Sequence, residues 1–198
     1  MITLIPFNAT LFLILIFLLF FYTFRMPPRA RNLKSRLKSK DSRESAPKII
    51  PQNARPKHLI VDGYNLIHSR PEMKKILQTF GTDAARDEFV KAIAILHDYE
   101  GWRVTVVWDG RGEGMGVEYP LKHKTFGCVF SPGGISADEV IQGLVENCAS
   151  RDDVLVATSD GGIRVFIQAN GARWMSQEEF WRWVKDAGES LGRAINRR

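Results

Sequence analysis

His58-Leu59-Ile60-Val61-Asp62-Gly63-Tyr64-Asn65 is the stretch on which the fold turns. A short, β-branched apolar run stops on an aspartate followed by glycine. The same event recurs at Arg103-Val104-Thr105-Val106-Val107-Trp108-Asp109-Gly110 and at Val154-Leu155-Val156-Ala157-Thr158-Ser159-Asp160-Gly161. Apolar runs of this length, bounded by glycine, read as strands buried on both faces of a parallel sheet. In such sheets the carboxyl ends of the strands line the ligand crevice. Three carboxylates gathered there resist ionising together, and a divalent cation removes that penalty.

Working outward, strand one covers Leu59 to Val61, and Arg70-Pro71 breaks the chain. A helix is predicted from about Asp83 to Tyr99, with Phe89, Val90, Ile93, Leu96 and His97 on one stripe. Strand two is Val104 to Trp108. The glycine-rich Gly110–Gly116 stretch reads as a mobile loop, and a strand follows near Thr125–Phe130. Ser136 and Glu139 make a capping box for a second helix, on which Asp138 falls on the buried side and Glu139 on the polar side. Strand four is Val154–Ala157, and a helix opens at Gly161-Gly162 and runs to about Ala169. A short strand over Ala172–Met175 precedes a last helix capped by Ser176 and Glu179, with fraying expected after Gly188. The β/α alternation gives a three-layer α/β domain with a mainly parallel central sheet.

Charge divides the 198-residue chain: residues 1–57 hold 11 Lys and Arg against 2 acids, whereas residues 58–198 hold 17 against 20. The basic balance therefore belongs to the N-terminal part and says nothing about nucleic-acid binding by the domain. Residues 2–24 carry no charge and are long enough to cross a bilayer. The cations from Arg25 to Lys40 place that flank on the cytoplasmic side. The expected organisation is a transmembrane anchor over 1–25, a basic disordered linker over 26–57, a catalytic domain over 58–187 and a tail over 188–198. A start at Met26 instead leaves a soluble cytoplasmic protein with a basic tail. Cys128 and Cys148 form no CxxC pair and read as buried thiols of a reducing compartment.

The chemistry-bearing set is Asp62, Asp109, Asp138 and Asp160. Hard oxygen ligands of this kind suit Mg²⁺ or Mn²⁺. Each acid also has an ordinary structural use. Asp62-Gly63 and Asp109-Gly110 suit turns, Asp160 suits a helix cap, and Asp138 suits a helix dipole. Asn65 either holds a water or phosphate or stabilises its turn. Ser159 bonds a carboxylate or caps the backbone. Arg86 reaches a phosphate or pairs with an acid on its own helix. His123 has no acid or second His at catalytic spacing, and His58, His68 and His97 show no metal-ligand spacing. The five Trp read as packing residues, with Trp102 the one candidate platform for a base.

Val61-Asp62-Gly63-Tyr64-Asn65-Leu66-Ile67, Ala85-Arg86-Asp87, Val106-Val107-Trp108-Asp109, Ser136-Ala137-Asp138-Glu139-Val140-Ile141 and Val156-Ala157-Thr158-Ser159-Asp160 follow one another in the chain. In this order they resemble a NYN domain of the YacP type, within the PIN-like nuclease superfamily, over roughly residues 58 to 186. The resemblance implies a PIN-like, Rossmann-like fold and a Mg²⁺- or Mn²⁺-dependent endoribonuclease. It implies Asp62, Asp109, Asp138 and Asp160 as ligands, with Asn65 and Ser159 beside them, and RNA as partner. Two rivals remain at this stage. One is a non-catalytic RNA- or ribosome-binding module of the same fold. The other, a phosphatase or nucleotide hydrolase, is disfavoured because no Walker A motif and no D-x-D follow strand one.

Overall fold

The computed structural model describes residues 57–197. The expected anchor over 1–25 and the linker over 26–57, apart from Lys57, lie outside the described residues. Among the described residues no helix is long and apolar enough to cross a membrane.

Strand β1 is His58–Asp62, followed directly by helix α1, Gly63–His68, and by α2, Pro71–Asp98. Strands β2 (Arg103–Gly112), β3 (Gly116–Glu118) and β4 (Phe126–Pro132) precede α3, Ala137–Glu146. Strand β5 (Val154–Ala157), helix α4 (Gly161–Ala169), strand β6 (Arg173–Met175) and helix α5 (Gln177–Ile195) complete the domain. The six strands lie in the order β3-β4-β2-β1-β5-β6. All neighbouring pairs are parallel except β3 with β4.

Side chains alternate across the strands and build two apolar layers. Leu59, Val61, Val104, Val106, Trp108 and Cys128 face Phe89, Ile93, Leu96, Phe180 and Trp181 in one core cluster. Helices α2 and α5 supply that side. The buried stripe of α3 (Val140, Ile141, Leu144, Val145) and Ile163 and Ile167 of α4 supply the other layer.

The chain leaves β1 toward β2 and β4, then returns to pair β5 on the other side of β1. That reversal makes the carboxyl ends of β1 and β5 the switch point where crevices form in open α/β sheets. Register fixes which residues meet there. Asp62 lies opposite Val107, and Val61 lies opposite Ala157, so Thr158 comes beside Asp62.

Several elements depart from the sequence reading, beginning with α1, where that reading places no helix. Helix α2 begins at Pro71, far upstream of Asp83, because Gly81 (φ 86°, ψ −178°) breaks it into two arms that the periodicity does not join. The Gly110–Gly116 stretch is not a loop throughout. Strand β2 continues to Gly112 with a register shift after Trp108, and Gly116 opens β3. Helix α5 runs through Gly188 to Ile195, where fraying was expected.

Gly63 is the tightest junction. A Cβ there would stand 2.3 Å from the Trp108 ring, so only glycine lets α1 start immediately after Asp62. Gly63→Ala should therefore cost about 1–3 kcal/mol of overpacking. Urea unfolding measures this, and a variant as stable as the wild type would contradict the packing.

Candidate functional site

Asp62 ends the central strand and is 5% exposed. It is also the N-cap of α1: Oδ1 accepts the Asn65 N–H at 3.3 Å. Its Oδ2 accepts the Thr158 hydroxyl at 3.1 Å, and Thr158 Oγ1 in turn accepts the Asp160 N–H at 3.1 Å. Burial pushes the Asp62 carboxyl up to about 6, with Asp138 and Asp109 adding to the rise and the two hydrogen bonds opposing it.

The other acids sit on the elements around it. Asp109 lies just past the last regular β2–β4 pair, Trp108 with Phe130, where the register shifts. Irregularities of this kind re-aim side chains beside active sites. Its Oδ1 accepts the Ala137 N–H at 2.8 Å, tying β2 to the start of α3. Asp160 caps α4 through the N–H groups of Gly162 (2.7 Å) and Ile163 (3.0 Å). Asp138, in the first turn of α3, is half-buried. Burial raises its carboxyl, followed by Asp160, Asp109 and Glu139. Glu139 is exposed and closes the capping box with Ser136.

All four aspartates thus belong to one electrostatic group at one end of the sheet, and three of them also serve helix N-termini. Among the described residues, no three His, Cys, Asp or Glu side chains form a ready ligand set for a metal ion. The four aspartates are thus neighbours in charge without forming a closed cage. Hard oxygens in a mutually repelling group fit a more open mode. Mg²⁺ commonly keeps several waters and takes one or two carboxylates together with substrate phosphates.

The remaining candidates separate. The Oδ1 of Asn65 accepts both the N–H (2.8 Å) and the hydroxyl of Ser159, so these two residues clasp α1 to the β5 end. Arg86 pairs with Asp83 at 3.3 Å on its own helix. It also lines a cleft of about 1270 Å³ that reaches Asp109. Thr158 and Tyr64 escaped the sequence reading. Thr158 offered only its place at the end of an apolar run, and Tyr64 only its place two residues after Asp62.

Of the histidines, His123 differs from expectation. His123 does have company: His97 Nε2 and His123 Nδ1 both lie on Thr125 Oγ1, at 2.7 and 2.5 Å, and His97 Nδ1 lies 2.6 Å from Asp98. This group stands at the start of β4, away from the aspartates at the strands' carboxyl ends. Burial and Arg103 push His58 down to about 3, so it is a neutral partner of Thr105. Trp102 packs edge-on to Trp183 at 5.1 Å as part of the core.

The raised Asp62 carboxyl sets a pH dependence. Without metal, the unfolded chain releases this proton near pH 4 while the folded protein holds it to about pH 6. Stability therefore falls as pH rises between those values, by up to about 1.4 kcal/mol per pH unit, and stays low above them. Asp62→Asn should remove that slope and unfold at higher temperature than wild type in EDTA at pH 7.5. A variant no more stable than wild type there would contradict the assignment.

Comparison with known proteins adds lineage to geometry. The YacP-like NYN domain family matches residues 59–198. The uncharacterized protein YacP of Bacillus subtilis (strain 168) is 34% identical over 143 residues, spanning 71% of this chain and 79% of that protein. The crystal structure of a point mutant of Rae1 (YacP) from Bacillus subtilis superposes with a TM-score of 0.58 at 30% identity, over 71% of this chain and 81% of that one. The Rae1 structure without that mutation gives 0.57 at 30% identity, over 70% and 79%.

Proposed function

Because the chain belongs to the YacP-like NYN domain family, whose fold is nuclease-like, we propose that it is a metal-dependent endoribonuclease. The observation that carries the reading is the electrostatic group at the switch point, in which burial, with Asp138 and Asp109 adding to it, raises the Asp62 carboxyl to about 6. A structural aspartate has no need of such neighbours, whereas a cation site does.

Asp62, Asp109, Asp138 and Asp160 are the residues that would hold Mg²⁺ or Mn²⁺, one or two of them directly. When bound, the cation supplies Lewis-acid chemistry, activating water and offsetting charge on a phosphodiester. The chain's own part is positional. Thr158 and the Asn65 N–H fix Asp62. Asp109 is fixed by the Ala137 N–H at the start of α3, and Asp160 by the helix start it caps. Once Ser159 has taken Asn65 Oδ1, the amide group of Asn65 is left as a donor for a phosphate oxygen. Attachment to the cytoplasmic face of a membrane belongs to this proposal and rests on the sequence of residues 2–24 and its basic flank alone.

The test is cleavage of a mixed RNA pool. With Mn²⁺ the protein should cut internally, EDTA should stop it, and Asp62→Asn should lower the rate by about two orders of magnitude or more. Intact RNA with every divalent cation, or equal cleavage by Asp62→Asn, contradicts the reading. RNA or ribosome binding that survives EDTA and Asp62→Asn without any cleavage would favour a binding module of the same fold.

A further inference from the structure

Arg86 has surroundings unlike those of an ordinary helix-surface arginine. Its guanidinium lies over three aromatic rings, Phe130 at 5.0 Å, Tyr64 at 5.3 Å and Trp108 at 5.7 Å. Among the described residues, its Nε is the buried side-chain nitrogen or oxygen without a hydrogen-bond partner. An orphaned buried donor is costly, yet the Arg86 side chain as a whole stays 24% exposed, so part of it is open to a ligand in the cleft. Its ion pair is with Asp83, which is 95% exposed, so that pair holds it weakly.

The aromatic supports connect Arg86 to the acidic end. Tyr64 lies two residues after Asp62, Trp108 directly precedes Asp109, and Phe130 pairs with Trp108 across β2 and β4. The Tyr64 phenol is within electrostatic reach of Arg86, Asp83 and Asp109 together. Arg86 and Asp109 line one cleft of about 1270 Å³, larger than the roughly 300–1,000 Å³ of an ordinary small-molecule pocket. The cleft suits part of a polymer.

Charge narrows the polymer's form. Asp83, Asp87, Asp109 and Glu118 line the cleft against Arg86 and Arg111. A net acidic groove repels a phosphate backbone along most of its length, and Arg86 is a point at which one phosphate can be held. The groove suits an unpaired chain in which a phosphate is pinned at one point and a base turns toward aromatic faces and carboxylate acceptors. Arginine rather than lysine fits the pinning role, because its planar fork stacks on rings and grips phosphate with paired donors.

We propose that Arg86, fixed by Tyr64, Trp108 and Phe130, binds a phosphate of single-stranded RNA in the cleft beside Asp109. The proposal rests on the nuclease reading and adds to it the residue that holds the RNA backbone.

The experiment measures binding of a fluorescent, unstructured oligoribonucleotide and of its duplex in EDTA, where cleavage is excluded. Wild type should prefer the single strand. Arg86→Gln should weaken single-strand binding about tenfold and reduce the salt slope by about 0.7 to 1, the value of one phosphate contact. Arg86→Lys should recover only part of the affinity, and its thermal unfolding checks that the helix remains folded. Asp83→Asn should tighten binding more than Glu88→Gln, an acid paired with Lys91 and absent from the cleft lining.

Unchanged affinity or salt slope in a folded Arg86 variant, or preference for the duplex, overturns the proposal. The two readings fail separately. Loss of binding in Arg86→Gln, when wild type cuts nothing with any metal, keeps this inference and removes the nuclease. Manganese-dependent cleavage with undiminished RNA binding in Arg86→Gln does the reverse.

Discussion

A buried carboxylate at the end of the central strand is the constraint around which the rest is arranged. Asp62 satisfies both of its oxygens, one with the start of α1 and one with Thr158 from the neighbouring strand. Each oxygen therefore has one hydrogen bond, yet the charge is not settled: burial and two further aspartates still push the group toward neutrality. The fold holds the group in place with partners that cannot balance its charge. A divalent cation is the simplest species that would.

The fold partly offsets this repulsion by its own geometry. Asp62 caps α1, Asp160 caps α4, and Asp109 accepts from the first residue of α3. Each helix start carries positive partial charge, which favours a carboxylate beside it. Capping is thus one use of these residues and the proposed cation binding a second, and finding the first does not remove the second. Tight junctions keep the parts in register: Gly63 admits no side chain against Trp108, and Trp108 in turn supports Arg86.

The sheet was legible because its central strands are unusually plain. Three apolar runs ending on Asp62, Asp109 and Asp160 specify parallel strands and one shared end, and the profile of related proteins and the superposed structures agree with that architecture. Both capping boxes, Ser136 with Glu139 and Ser176 with Glu179, were readable from spacing alone. What escaped detection depends on backbone or on distant partners. Gly81 hid the first arm of α2, because a left-handed residue interrupts the periodicity on which helix reading relies. The extension of β2 through Gly112 and the pairing of β3 rest on strand neighbours invisible to a local window. The aspartates were legible as candidates, but the Thr158 bond to Asp62 joins residues 96 positions apart and no motif announces it. The His97–Thr125–His123 contact was likewise hidden, since its members come from a helix end and a strand entry.

The most direct measurement follows the ionisation of Asp62 by carboxyl ¹³C NMR in protein labelled at aspartate, titrated once in EDTA and once with saturating Mg²⁺. The account predicts a midpoint near 6 without metal and a clearly lower one with it. An Asp62 midpoint that is the same in both titrations would mean that no cation answers the charge held there, and would contradict the central claim.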